Sequence, residues 1–124
     1  MNSKRVLTST DAIIEEFEWG HLRWTTGNKL DASVTGNSTT MTVGQCVMHP
    51  GYENFRHYHP NCEEILVVSQ GHILHSLGDE AFEMTTGDTI VIPPNVVHNA
   101  KNIGDVDAVM TILFSSAERE TVGV

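Results

Sequence analysis

Residues 51–71 read GYENFRHYHPNCEEILVVSQG, and three potential metal ligands fall within this one short segment. Side chains at positions i and i+2 of a β-strand point to the same face. We therefore expect His57 and His59 to converge on one point while Tyr58 faces away. A proline–asparagine pair then breaks the strand, so that Glu64 begins the next strand and can point back at the same spot. Imidazole nitrogens and one carboxylate suit a single divalent ion such as Fe²⁺, Mn²⁺, Ni²⁺, Cu²⁺ or Zn²⁺.

A second segment, residues 87–102, reads GDTIVIPPNVVHNAKN and offers a further ligand. Proline cannot donate to a strand ladder, so the two consecutive prolines predict that a strand ends there. His98 follows this turn at the head of the next predicted strand. The sequence thus predicts His98 as the fourth metal ligand, delivered from a distant hairpin.

Strand signals surround both segments. From Trp19 onward, short runs of β-forming residues alternate with Gly, Asn, Asp and Pro at spacings of roughly 8–12 residues, a pattern typical of a sandwich or small barrel. We predict an all-β domain over residues 19–124, preceded by an N-terminal arm, residues 1–18. In this arm Ser9, Thr10 and Asp11 are expected to cap a short helical turn over residues 12–17. The predicted strands are His21–Thr25, Thr40–His49, Glu63–Gln70, His72–Leu77, Ala81–Thr85, Thr89–Ile92, Val97–Asn102 and Ala108–Ser115.

The composition excludes several classes of partner. The 124 residues fit one domain, and a formal net charge of −9 without any basic cluster disfavours nucleic acid and anionic membranes. The apolar runs are far too short to span a membrane. Cys46 and Cys62 form no CxxC pair, and the first residues lack the apolar stretch of a signal peptide. These features predict a cytoplasmic protein with reduced thiols and a small-molecule substrate.

Taken together, the two segments resemble the motifs of the cupin superfamily. The first matches the family pattern through Gly51, His57, His59, Glu64 and Gly71. The second matches through the residues Gly87, Pro93, His98 and Asn102, with Asn95 standing where the family usually has glycine. Asparagine tolerates the left-handed conformation better than other non-glycine residues, so we expect the turn to be kept. The resemblance covers about residues 40–115.

The resemblance implies a fold and a site. The fold is a double-stranded β-helix, or jelly-roll barrel, of two antiparallel sheets, and the site holds one metal ion through His57, His59, Glu64 and His98. Small cupins commonly dimerise through N-terminal strands, so the resemblance also implies a homodimer. Trp19 and Trp24 are accordingly interpreted as packing residues rather than substrate contacts.

Two assignments depend on spacing and strand alternation. Glu63 competes with Glu64 as the carboxylate ligand, but only Glu64 gives the family's spacing of six residues before Gly71. His75 shares a strand face with Ile73, so if Ile73 faces the barrel interior His75 does too. It is then a candidate catalytic residue for proton transfer, the alternative being a buried, hydrogen-bonded structural histidine. Gln45 is a further candidate for the pocket wall, although the sequence leaves open which face of its strand points inward.

The same four ligands support several functions, since a fold alone does not choose among them. Our leading hypothesis is a dioxygenase-type oxidoreductase that uses a redox-active ion and a small enolic or phenolic substrate. The second is a non-oxidative isomerase, lyase or cyclase in which the metal is only a Lewis acid. The third is a module that binds a small ligand without turnover.

Overall fold

The computed structural model describes residues 6–124, and its regular structure is almost entirely β. One three-residue 3-10 turn, Ser9–Asp11, precedes the strands. Across residues 6–124 we find no helix with the length and apolar character needed to cross a bilayer. The strands are β1 (Ile13–Phe17), β2 (Gly20–Thr26), β3 (Thr42–Met48), β4 (His57–Tyr58), β5 (Glu64–Gln70), β6 (His72–Leu77), β7 (Glu80–Thr85), β8 (Thr89–Ile92), β9 (His98–Asn102), β10 (Ala108–Phe114) and β11 (Val122–Gly123).

These strands form two antiparallel sheets. One has six strands in the order β1-β2-β3-β10-β5-β8, and the other has five in the order β11-β4-β9-β6-β7. Sequence neighbours such as β5 and β6 lie in different sheets, so the chain winds back and forth between the two layers. This arrangement confirms the predicted double-stranded β-barrel.

The core lies between the sheets, and strand alternation decides which side chains enter it. Strands β3 and β10 alternate strictly between buried and partly exposed positions. On β3 the buried set includes Cys46 and Met48, so Gln45 points away from the interior and does not line the pocket. Trp24 is fully buried and packs against Phe114, with the ring centroids 6.1 Å apart, which is the packing role predicted for it.

The helical turn predicted over residues 12–17 is wrong. Ile13–Phe17 is strand β1, which pairs with β2 over five residues, and the one helical turn lies earlier, at Ser9–Asp11. The side chains of β1 are exposed or only half-buried, so a helix would have gained no more burial than the strand does. Main-chain hydrogen bonds to the edge of β2 decide the conformation instead. The strand expected to carry both His57 and His59 is shorter than predicted, since β4 ends at Tyr58, and the short strand β11 was not predicted.

The turn before β9 keeps its shape without glycine. Asn95 has a φ of 68°, and among residues 6–124 it is the one non-glycine residue with positive φ. Its backbone N–H donates to the carbonyl of His59 at 3.0 Å. The left-handed conformation expected from the sequence is therefore present, and it ties the turn to the segment that carries the first histidines.

Candidate metal centre

Three strands meet where the predicted ligands lie. His57 is on β4 and is directly paired with His98, the first residue of β9. Glu64 is the first residue of β5, in the opposite sheet, and His59 follows β4 immediately. Ligand atoms of these four side chains all lie within 4.8 Å of one another. The barrel thus brings together the four residues that the sequence singled out.

The four side chains are enclosed by the barrel. Relative exposure is 9% for His57, 4% for Glu64, and 2% each for His59 and His98. Glu63 is exposed, because neighbouring residues on β5 alternate between the interior and the surface. The structure therefore places Glu64 inside the site and Glu63 outside it.

Backbone carbonyls fix the orientation of all three histidine rings. The Nδ1 atom of His57 lies 2.8 Å from the carbonyl oxygen of Phe55, and that of His98 lies 2.9 Å from the carbonyl of Val96. The Nδ1 of His59 lies 2.8 Å from the carbonyl of Glu120. A carbonyl oxygen only accepts, so each Nδ1 carries the hydrogen. In a neutral ring the lone pair is then on Nε2, the usual arrangement of a metal-bound histidine.

This tautomer leaves an excess of acceptors at the centre of the site. The Nε2 atoms of His59 and His98 lie 3.2 and 3.1 Å from the same carboxylate oxygen of Glu64. Two lone pairs facing a carboxylate repel one another unless a positive charge lies between them, either a proton or a metal ion. Nε2 of His59 is moreover buried with no hydrogen-bond partner. The donor set and its orientation therefore fit a divalent cation.

The protonation states favour metal binding at neutral pH. Burial, only partly offset by the Phe55 carbonyl, lowers the pKa of His57 to about 4. Burial raises the pKa of Glu64, but the neighbouring His59 and His98 rings outweigh it and lower that pKa to about 2. The ring is thus neutral and the carboxylate ionised, which are the forms that bind metals.

A cavity of about 310 Å³ opens beside the four ligands. Its wall includes apolar side chains from both sheets, among them Leu66, Met110, Ile112 and Phe114. Trp19 also lines it, stacked on Phe17 with the ring centroids 4.7 Å apart. The side chain of Trp19 therefore faces the cavity beside the metal ligands. The sequence predicted only a packing role for this residue. The volume suits a small organic molecule.

His75 lies in the same cavity. Its side chain is 1% exposed, and its ring is parallel to that of His98 with the centroids 5.8 Å apart. Its Nδ1 is buried and has no hydrogen-bond partner. Burial lowers the pKa of His75 to about 4, so the ring is neutral at physiological pH. The unpartnered Nδ1 agrees with the proton-transfer role, while the hydrogen bond with the Ser76 backbone agrees with the structural one.

Both cysteines are free and buried. Burial raises the pKa of Cys46 to about 12 and also raises that of Cys62. Because the thiolate is the reactive form, neither side chain is activated as a nucleophile.

The C-terminal segment 115–121 supplies contacts that the sequence did not reveal. The carbonyl of Glu120 orients His59, and Arg119 and Thr121 line the cavity. Asn61 anchors this segment by accepting from the backbone N–H of Glu120 and donating to the carbonyl of Glu118, both at 2.9 Å. The residues after Phe114 show no apolar periodicity or motif, so nothing local in the sequence signalled their role.

Comparison with known proteins agrees with the fold and the site. Two curated Streptomyces proteins are similar in sequence. Protein SchB of Streptomyces halstedii is 36% identical over 74 residues, covering 60% of this chain and 54% of its own length. Polyketide synthase CurC of Streptomyces cyaneus is 33% identical over 82 residues, covering 66% and 53%. The matches thus span about half the length of these relatives.

Solved structures and a family match extend this likeness. The Lactobacillus farciminis oxalate decarboxylase, solved as a formate complex, superposes with a TM-score of 0.81 at 25% identity. That superposition covers 93% of this chain and 34% of the decarboxylase. The cupin domain family matches residues 44–114, which include all four clustered residues and more than half of the chain. This chain belongs to the cupin family.

Proposed function

We propose that this protein is a metal-dependent cupin enzyme of the dioxygenase type, acting on a small enolic or phenolic substrate. The observation that carries the proposal is the shared tautomer of the three clustered histidines, whose Nδ1 atoms are all held by backbone carbonyls. Their Nε2 atoms and the Glu64 carboxylate would hold one divalent ion. When bound, such an ion polarises a substrate oxygen as a Lewis acid and, if it is redox-active, supports chemistry with O₂.

The cavity favours a substrate with an apolar body and a few oxygen atoms. Its walls are largely aliphatic and aromatic, so they exclude water from the reacting groups and accept a planar carbon skeleton. Three neutral imidazoles and one carboxylate would leave a divalent ion with a net charge near +1. Oxygen atoms of a deprotonated enol or phenol match that charge better than a neutral ligand does.

His75 is our candidate for the catalytic residue that accepts the substrate proton. It lies in the cavity wall beside His98, and its Nδ1 is free of any hydrogen bond. A neutral imidazole with an available lone pair can take a proton from a bound enol or phenol. The ring is held rigidly because the side chain is fully buried.

A non-oxidative reaction is the second candidate, because one similar structure is an oxalate decarboxylase and one similar sequence is named a polyketide synthase. Neither name requires net oxidation of the substrate. In that case the ion would act only as a Lewis acid, with the same residues holding it and the same histidine moving the proton.

The choice of metal separates these two functions. We expect the protein reconstituted anaerobically with Fe²⁺ to consume O₂ in the presence of an enolic or phenolic substrate, and the Zn²⁺-loaded protein to consume none. Oxygen-electrode traces paired with mass spectrometry of the products measure both. If the Zn²⁺-loaded protein converts the substrate as fast as the Fe²⁺-loaded protein, the reaction is the non-oxidative one and not a dioxygenation. If the protein converts no substrate of a broad panel with any metal, both proposed functions are contradicted.

We also propose that the protein is a cytoplasmic homodimer. Strand β1 is the edge of the six-stranded sheet, and it exposes the apolar side chains of Ile13, Ile14 and Phe17. An edge strand of this kind is a template for pairing with another chain. Light scattering is expected to give twice the mass of the chain, and Ile14→Lys is expected to give the monomer mass. A monomeric wild-type protein would contradict the dimer.

A further inference from the structure

Arg119 lines the same cavity, and its guanidinium donates no hydrogen bond to the described part of the chain. Its Cζ lies 4.5 Å from the ring centroid of Trp24 and 4.9 Å from that of Phe114, so the aromatic rings hold the guanidinium. Its Nε is buried and has no hydrogen-bond partner. A guanidinium has five N–H donors in a fixed plane and no acceptor. The rings therefore support the cation while leaving donors available to a ligand.

Arg119 has no carboxylate in direct contact, and burial lowers its pKa, although the nearby carboxylates of Glu64 and Glu15 favour its charge and raise that pKa in part. No carboxylate within residues 6–124 forms an ion pair with it. The other cation that lines the cavity, Lys29, lies 3.6 Å from a carboxylate oxygen of Glu15. Glu15 in addition accepts a hydrogen bond from the indole N–H of Trp24. Glu15 is thus already engaged with Lys29 and Trp24, and a partly buried arginine without a direct ion pair can bind a further anion from outside the chain.

Arg119 is held close to the metal centre. The ring of Phe114 that it covers is also in edge contact with the ring of His59, the centroids lying 5.0 Å apart. The next residue along the chain, Glu120, provides the carbonyl that orients His59. Both contacts fix the guanidinium relative to the ligand cluster, and because Arg119 and the cluster line one cavity, a single small molecule can contact both.

We propose that Arg119 binds a carboxylate group of the substrate, while other oxygen atoms of the same molecule face the metal centre. The proposal rests on the proposed function and narrows its substrate class to small carboxylic acids with a second oxygen function. The planar fork of arginine matches the two oxygens of a carboxylate, and such paired hydrogen bonds are among the strongest in proteins. Binding would satisfy the buried Nε and neutralise the cation at once.

A pair of four-carbon acids tests this assignment. Succinate carries two carboxylates and butyrate only one, so the ratio of their dissociation constants, measured by calorimetry on the Zn²⁺-loaded protein, reports the second anionic contact. We expect succinate to bind at least about 10-fold more tightly than butyrate. In Arg119→Met the ratio is expected to fall to near one, and in Arg119→Lys to be intermediate. Arg119→Gln serves as a second neutral variant, and the melting temperature of each variant checks that it is folded.

The matched control is Arg56→Met. Arg56 donates to the hydroxyl of Ser76 and the carbonyl of Gly78 and does not line the cavity, so removing its charge is expected to leave the ratio unchanged. The assignment of Arg119 as the carboxylate-binding residue would be overturned if the wild-type protein bound succinate and butyrate equally well. It would also be overturned if folded Arg119→Met or Arg119→Gln kept the wild-type preference for succinate. Elemental analysis keeps the two proposals separate. A protein without stoichiometric zinc contradicts the proposed function. In that case the role of Arg119 is decided by butyrate alone, which is expected to bind more weakly to Arg119→Met than to the wild type; equal affinities would overturn the assignment.

Discussion

Replacing His59 with alanine is expected to reduce the affinity for a divalent metal by more than the ~10–100-fold that loss of an outer hydrogen-bond partner typically causes. His59 is 2% exposed, and its Nε2 has no hydrogen-bond partner in the described chain although it is buried. Alanine removes that donor atom and leaves a gap that only water can fill. It also removes the ring that the Glu120 carbonyl holds in place.

Metal content after purification without a histidine tag measures this effect. The wild-type protein is expected to retain about one equivalent of metal, and His59→Ala to retain little after dialysis. His49→Ala is the control, because His49 is about half exposed and pairs with Asp107 outside the cluster. Stoichiometric metal in His59→Ala, or an equal loss in both variants, would contradict the assignment.

The second prediction with a large expected effect concerns the stability of the fold rather than metal binding. Asn102 is fully buried, and its amide group bonds three backbone groups, one on the distant strand β3 and two in the loop that follows β9. Its Nδ2 donates to the carbonyls of Met48 and Val106, at 2.8 and 2.9 Å, and its Oδ1 accepts from the N–H of Gly104 at 2.9 Å. Alanine would leave all three groups unpaired. The bond to Met48 is buried and the other two are partly buried, so at about 1 kcal/mol for each group left unpaired, we expect a loss of about 3 kcal/mol in the free energy of unfolding.

Thermal and urea denaturation check this prediction. A loss of about 3 kcal/mol corresponds to a drop of roughly 10 °C in melting temperature for a domain of this size. Asn102→Asp keeps the acceptor but turns a carboxylate toward two carbonyls, so it is expected to be at least as destabilised. Asn28→Ala, at an exposed position, is expected to leave the midpoint nearly unchanged. A melting temperature of Asn102→Ala within about 2 °C of wild type would show that these bonds contribute little.

The sequence predicted those features of the fold that depend on local patterns. Alternation along β5 predicted that Glu64 and Leu66 face inward, and both are buried, with exposed fractions of 4% each. The tolerance of asparagine for the left-handed conformation predicted the turn at Asn95. In each case the prediction needs only the chemistry of one residue or the two-residue period of one strand. It does not depend on which other segments pack against that residue or strand.

Features that depend on pairing between distant segments could not be predicted in the same way. Strand β1 exists because β2 offers a free edge, and none of its own side chains is fully buried. The role of Glu120 rests on its backbone carbonyl, which is the same in every residue type. Arg119 lies in a stretch with no pattern, and only the fold brings it onto the rings of Trp24 and Phe114.

A single divalent ion held by His57, His59, Glu64 and His98 is the feature on which the proposed chemistry depends. An anomalous difference map from crystals of the tag-free, Zn²⁺-loaded protein would show this ion. We predict a single strong peak at about 2.0–2.2 Å from the three Nε2 atoms and from one carboxylate oxygen of Glu64. A peak bonded elsewhere, or the absence of any peak among these four side chains, would contradict the proposed metal site.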